Sequence, residues 1–160
     1  MLTGAVCLRS TWKRTGVLLD SGSSHNFVDA KWAARLGAAG PAYTVYTAAG
    51  ETHTAKAYSV RVQLADGPVF EITALALSLP PGIGMLLGDT WIKSQRAELK
   101  WLDDDAATCT VNGPDMQRHT FNIPLLTRVL PTISRTLQHM STYQLLALYT
   151  AGQTSASLSW

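Results

Sequence analysis

Short apolar runs, several with a period of two, dominate the first 123 positions and predict strands rather than long helices. Leu2–Leu8 is a compact apolar segment, and Ser10–Arg14 reads as a polar turn after it. Gly16-Val17-Leu18-Leu19 is a second apolar run that stops on Asp20, as a buried strand delivering one side chain to its end does. Ser21-Gly22-Ser23-Ser24 is turn chemistry. From Asp29 to Leu36 the spacing changes: Trp32, Ala33 and Leu36 share one side, Asp29 stands at the cap and Gly37 at the stop, which predicts a short helix. Tyr43–Thr47 and Thr52–Ala57 are β-prone arms around Ala49-Gly50, a hairpin pattern. Tyr58–Leu64 alternates Val60, Val62 and Leu64 against Ser59, Arg61 and Gln63, then turns at Asp66-Gly67. Phe70–Leu79 is one long strand or a strand pair, broken by Pro80-Pro81-Gly82. Met85-Leu86-Leu87-Gly88 is another buried run, and a short helix begins within Trp91–Gln95. Ala97–Trp101 alternates again, while Thr108–Val111 and Thr120–Ile123 flank Asn112-Gly113-Pro114 as a hairpin.

Beyond Pro124 the texture differs. Pro131–Gly152 is richer in Leu, Gln, His and Ser, with helical spacing, a cap at Thr142 and a terminator at Gly152 for a helix over Tyr143–Ala151. The chain therefore divides near residue 124 into a β domain, 1–123, and a linker with a helical extension, 124–160.

Composition narrows the function classes. A chain of 160 residues, 46% hydrophobic and 15% charged, is long enough for one domain with a real core. Its net charge of +2, with no basic run longer than Lys13-Arg14, argues against direct nucleic-acid binding. Cys7 and Cys109 are too few and too far apart for a disulfide framework, and they read as buried thiols in a reducing compartment. His53, His119 and His139 lack metal-ligand spacing, and Asp103-Asp104-Asp105 reads as a solvated loop, so no metal or cofactor is expected. Trp12, Trp32, Trp91 and Trp101 read as core and interface residues. The first residues lack a signal-like apolar stretch, and no apolar run approaches the roughly 20 residues of a membrane helix. A cytoplasmic protein without membrane contact is the expectation.

The chemistry lies in Val17-Leu18-Leu19-Asp20-Ser21-Gly22-Ser23-Ser24. A carboxylate at a strand tip sits among small donors, and Gly22 lets backbone pass close to a partner carboxylate. The segment Leu18–Phe27, the hairpin near Ala49-Gly50 and Met85-Leu86-Leu87-Gly88-Asp89-Thr90-Trp91-Ile92 together resemble the retropepsin family, most of all the protease of gypsy-type retrotransposon polyproteins. Val129–Gly152 resembles the connector between protease and reverse transcriptase in such polyproteins.

This resemblance implies a mostly β, closed-barrel fold of a single acid-protease lobe with one or two short helices, active as a homodimer. Each copy would give one Asp20, the pair sharing a proton and holding a water. The implied catalytic set is Asp20, Ser21, Gly22 and Ser23, with Ser21 bonding across the dimer and Ser23 supporting the outer carboxylate oxygen. Ser24, His25, Leu87 and Gly88 would contact substrate, and a flap at Ala49, Gly50 and Glu51 would close over an extended peptide. The expected function is aspartic endopeptidase action on polyprotein segments; the alternative is an inactive or domesticated dimerisation or peptide-binding module. Two departures from the family pattern stand out. Ser24 and Asp89 occupy the places of an acid–base pair in retroviral enzymes, and Gly88-Asp89-Thr90-Trp91 replaces the commoner Gly-x-Asp-Trp. They bear on how the loop and the terminal helix are tied, not on Asp20.

Overall fold

The computed structural model describes residues 2–37, 39–46, 51–103 and 106–124. The expected flap tip at Ala49-Gly50, the Asp104-Asp105 corner, the boundary region after Pro124 and the helix over Tyr143–Ala151 lie outside the described residues.

The chain begins with β1 (Leu2–Leu8) and β2 (Thr11–Leu19), paired antiparallel from Leu2↔Val17 to Leu8↔Thr11. Their turn is only Arg9-Ser10, with Arg9 in the left-handed region at φ 60°. Thr11–Arg14, expected as part of a turn, is therefore strand. Those side chains face solvent while their backbones complete the ladder to β1, so their polarity hid the pairing. Next come β3 (Phe27–Asp29) and a single-turn helix, α1 (Ala30–Ala33). Asp29 caps α1 through a bond from Lys31 N to its Oδ1 (3.1 Å), and its Oδ2 accepts from Leu79 N (3.3 Å). The helix begins after the expected Asp29 cap but ends short of Leu36, because Arg35 N bonds Trp32 O and Leu36 N bonds Ala33 O, three residues back, in turns that do not continue the helix.

β4 (Ala42–Tyr46) and β5 (Thr52–Leu64) form the expected hairpin arms, in register from Ala42↔Lys56 to Tyr46↔Thr52. β6 (Val69–Leu77) is one continuous strand, and β7 (Ile83–Leu87) is buried at every position. α2 (Asp89–Ser94) starts two residues earlier than Trp91, with Gly88 at its cap. β8 (Glu98–Asp103), β9 (Ala106–Asn112) and β10 (Arg118–Pro124) make a separate three-stranded antiparallel sheet.

The larger sheet runs β1-β2-β7-β3-β6-β5-β4 and closes on itself through a β1–β5 pairing. Six strands thus form a closed barrel, and β4 extends outward from β5 as a ribbon. Closure removes open edges from those six strands. Parallel pairing of β2 with β7, and of β3 with β6, brings the Asp20 end of β2 beside the Gly88 end of β7.

Strand alternation produces two apolar clusters. One fills the barrel with Val6, Val17, Val28, Val60, Val62, Leu64, Met85 and Leu87, capped by Trp91, whose ring meets Phe70 edge-on at 5.4 Å. Burying each such aliphatic side chain contributes roughly 1.5–3 kcal/mol relative to exposure. The other lies on the opposite strand faces: Leu18, Phe27, Ala55, Ala57, Leu75, Ile83 and Leu86. Of the tryptophans, Trp91 is core, whereas Trp12 and Trp101 are exposed by more than a third, Trp12 lying near the Arg61 guanidinium.

Both cysteines are buried and unpaired. Burial pushes the Cys109 thiol up to about 11. Since the thiolate is the reactive form, native Cys109 is expected to resist iodoacetamide at pH 8 while the denatured chain alkylates at both cysteines. Intact mass before and after denaturation reads this directly; fast labelling of Cys109 in the folded protein would contradict its placement.

Candidate active site

β2 delivers Asp20 to the barrel rim, and a short loop, residues 21–26, returns the chain to β3. The Asp20 side chain is 5% exposed. Its backbone N donates to Leu87 O (3.0 Å), extending the β2–β7 ladder by one bond, and its Oδ1 accepts from Gly22 N (2.9 Å). Burial raises the carboxyl above the ordinary aspartate range, and the Gly22 and Ser23 N–H groups partly offset this by favouring the charged form. A carboxyl placed in this way holds its proton to higher pH than a surface aspartate.

The loop is fastened to the β7–α2 junction by bonds to three consecutive residues. Asp20 meets Leu87 as above, Asp89 N donates to Ser23 O (2.7 Å), and Gly88 N donates to Asn26 Oδ1 (3.0 Å). Asn26 also donates from Nδ2 to Thr73 O (3.1 Å), while its own carbonyl accepts from Leu75 N (2.9 Å). Gly88 is wedged here: a Cβ at that position would collide with the His25 carbonyl and lie 2.7 Å from Ser23 O. The tie between loop and helix is therefore backbone and carboxamide. Asp89 makes its ion pair within α2, with Lys93 (2.7 Å).

The other predicted site residues separate by geometry. Ser21, Gly22, Ser24 and His25 are exposed on the loop surface, with Ser24 Oγ 2.8 Å from His25 Nδ1. The Ser23 hydroxyl, expected on the outer carboxylate oxygen, donates to His25 O (2.9 Å). His25 also lines a cavity of about 390 Å³ between the loop, β6 and α2. Glu51 stands at the foot of the hairpin arm, 3.4 Å from His53 Nε2. Leu87, expected to contact substrate, has its side chain in the barrel core at 0% exposure. Alternation turns its neighbour Leu86 to the face shared by Leu18 and Phe27. Those three residues and Asn26 lie within the resembling motifs but are assigned no individual role from sequence. The period-two pattern of β2 held a signal for Leu18, which lies two positions before Asp20, whereas the long-range bonds of Asn26 left no local trace. Among the described residues no cluster of His, Cys, Asp and Glu is placed to hold a metal, and no helix is long and apolar enough to cross a membrane.

A closed single-lobe barrel with one Asp-Ser-Gly turn at its rim is the arrangement of a retropepsin-like aspartic protease domain. The aspartyl protease family matches residues 9–91, just over half of the chain and including both the Asp20 turn and Gly88, and the chain belongs to that family. Among solved structures, the EIAV protease complexed with the inhibitor HBY-793 is similar at 20% identity, covering 57% of this chain and 85% of that one with a TM-score of 0.41. No curated protein matches.

Proposed function

We propose that the chain is an aspartic endopeptidase that cleaves extended peptide segments as a homodimer, using Asp20 from each copy. The observation that carries this reading is the buried Asp20 carboxyl at the tip of β2, which burial makes hold its proton more strongly, in a sequence with one Asp-Ser-Gly motif. Acid–base hydrolysis by carboxyls needs two of them in opposite protonation states, and a second copy supplies the other.

Two Asp20 groups about 3 Å apart resist ionising together, so the pair holds one proton. The ionised member takes a proton from water as its oxygen bonds to the scissile carbonyl carbon, and the protonated member gives its proton to the carbonyl oxygen. Collapse of the tetrahedral gem-diol moves a proton to the amide nitrogen and breaks the C–N bond, with no covalent enzyme intermediate. The β4–β5 ribbon supplies an arm against which an extended peptide adds as a strand. In this reading residues 1–123 are the protease domain, and 124–160 the connector of a retrotransposon-type polyprotein. Two unpaired buried thiols fit a reducing, cytoplasmic setting.

The test joins solution mass to turnover. A dimer that hydrolyses an extended peptide at mildly acid pH and is blocked by pepstatin is expected; a folded dimer without such turnover would move the reading to the alternative, a peptide-binding module.

A further inference from the structure

We infer that Asn26 is a positioning residue: its carboxamide clamps the Asp20–His25 loop between the β7–α2 junction and β6. This rests on the protease reading and deepens it.

Among the described residues, two of the three ties between loop and junction are backbone to backbone, from Asp20 N to Leu87 O and from Asp89 N to Ser23 O. The third is the only one made by a side chain, Gly88 N to Asn26 Oδ1 at 3.0 Å, across 62 positions of sequence. The same carboxamide donates from Nδ2 to Thr73 O at 3.1 Å, and the whole residue is 7% exposed. Its orientation is fixed by its partners, because Gly88 N–H only donates and the Thr73 carbonyl only accepts, so a flipped amide would mismatch both.

The site demands one acceptor and one donor at the end of a two-carbon side chain. Asparagine provides both. An ionised aspartate has acceptors only and would face the Thr73 carbonyl with negative charge; serine is too short; leucine leaves the buried Gly88 N–H unpaired and takes this donor from the Thr73 carbonyl. The titratable groups on the surrounding elements are Asp20 and His25 in the loop, Asp29 on β3, Tyr43 on β4, Glu71 on β6, and Asp89 and Lys93 on α2, the last two paired together. None of them bonds the carboxamide, so the direct partners of a carboxyl introduced at position 26 are the Gly88 N–H and the Thr73 carbonyl. When protonated, it reproduces the amide, its O–H donating to Thr73 O and its C=O accepting from Gly88 N.

Asn26→Asp and Asn26→Leu, measured beside the wild type, decide the matter. Misplacing a reacting group by about 1 Å costs on the order of 10²-fold. Asn26→Leu is therefore expected to lose about 10- to 100-fold in kcat at every pH with KM little changed. Asn26→Asp is expected to show a similar loss at pH 6.5 and to recover to within a few-fold of wild type near pH 4, so the variant-to-wild-type ratio itself depends on pH. Amide exchange of Gly88, followed by NMR, gives a readout without turnover: protected in wild type, fast in Asn26→Leu, protected only in acid for Asn26→Asp. A ratio flat with pH, with Gly88 exchange still altered, would make Asn26 structural only and overturn the positioning role. Unchanged Gly88 protection in both variants would remove the clamp itself. If the wild type hydrolyses no peptide, the protease reading fails by that result, and the exchange arm alone still decides whether the clamp exists.

Discussion

Asp20→Asn is expected to abolish peptide hydrolysis, lowering kcat/KM on the order of 10⁴-fold, the upper end of what a positioned acid–base group contributes. The carboxamide is nearly isosteric and keeps an oxygen to accept from Gly22 N, so the loop geometry stays, while the group loses all ability to take or hold a proton. Folding should not suffer. Burial raises the Asp20 carboxyl above its ordinary range, so the folded state favours the protonated form. Its influence on stability is therefore most favourable below the unfolded aspartate pKa and worsens as pH rises through the folded value. At pH 7 the variant is expected to melt no lower than wild type. The same sign is expected for catalysis by the proposed dyad: turnover should fall as pH rises through the raised carboxyl, because the pair would then lose its shared proton. Peptide turnover and thermal melts on one preparation check both points, and retained activity would contradict the role given to this residue.

Gly88→Ala is expected to damage stability and activity together. Gly88 has φ −91° and ψ −172°, extended backbone that alanine adopts freely, so conformational strain is not the issue. The obstacle is space. The new methyl would strike the His25 carbonyl and approach Ser23 O at 2.7 Å, and both are backbone atoms that no side-chain rotation relieves. Overpacking of this kind costs typically 1–3 kcal/mol, and more where backbone must move. The atoms that must move belong to the loop carrying Asp20, so kcat is expected to fall about 10²-fold alongside a melting temperature lowered by several degrees. Thr90→Ala, two positions on and exposed, serves as the control with little change in either. A Gly88→Ala protein with wild-type melting and turnover would mean that the junction is looser than its contacts indicate.

Much of this architecture was legible in the chain because it is written in local patterns. The apolar run ending on Asp20, the arms Tyr43–Tyr46 and Thr52–Ala57, the alternation of Val60, Val62 and Leu64, and the hairpin around Asn112-Gly113-Pro114 all formed where periodicity and turn chemistry put them. What stayed hidden was set by partners distant in sequence. Thr11–Arg14 are strand because β1 lies beside them, not because their side chains prefer it. Phe27–Asp29 is too short to show a period, and becomes strand by lying between β6 and β7. Ser24 and Asp89 offer no charged tie between loop and helix, and the bond from Gly88 N to Asn26 Oδ1 emerges only once β7 is docked against the loop. In the same way, Leu87 and Leu86 look equivalent in sequence, and the pleat of β7 sends one inward and the other to the face of Leu18.

Subunit mixing bears most directly on the claim that the site is completed by a second copy. Wild-type protein held at fixed concentration is titrated with Asp20→Asn protein and its peptide turnover followed after equilibration. If each site takes one Asp20 from each of two chains, mixed dimers are dead, and turnover should fall toward zero as the variant comes into excess. Turnover indifferent to the variant, and strictly proportional to wild-type concentration on dilution, would show that one chain suffices.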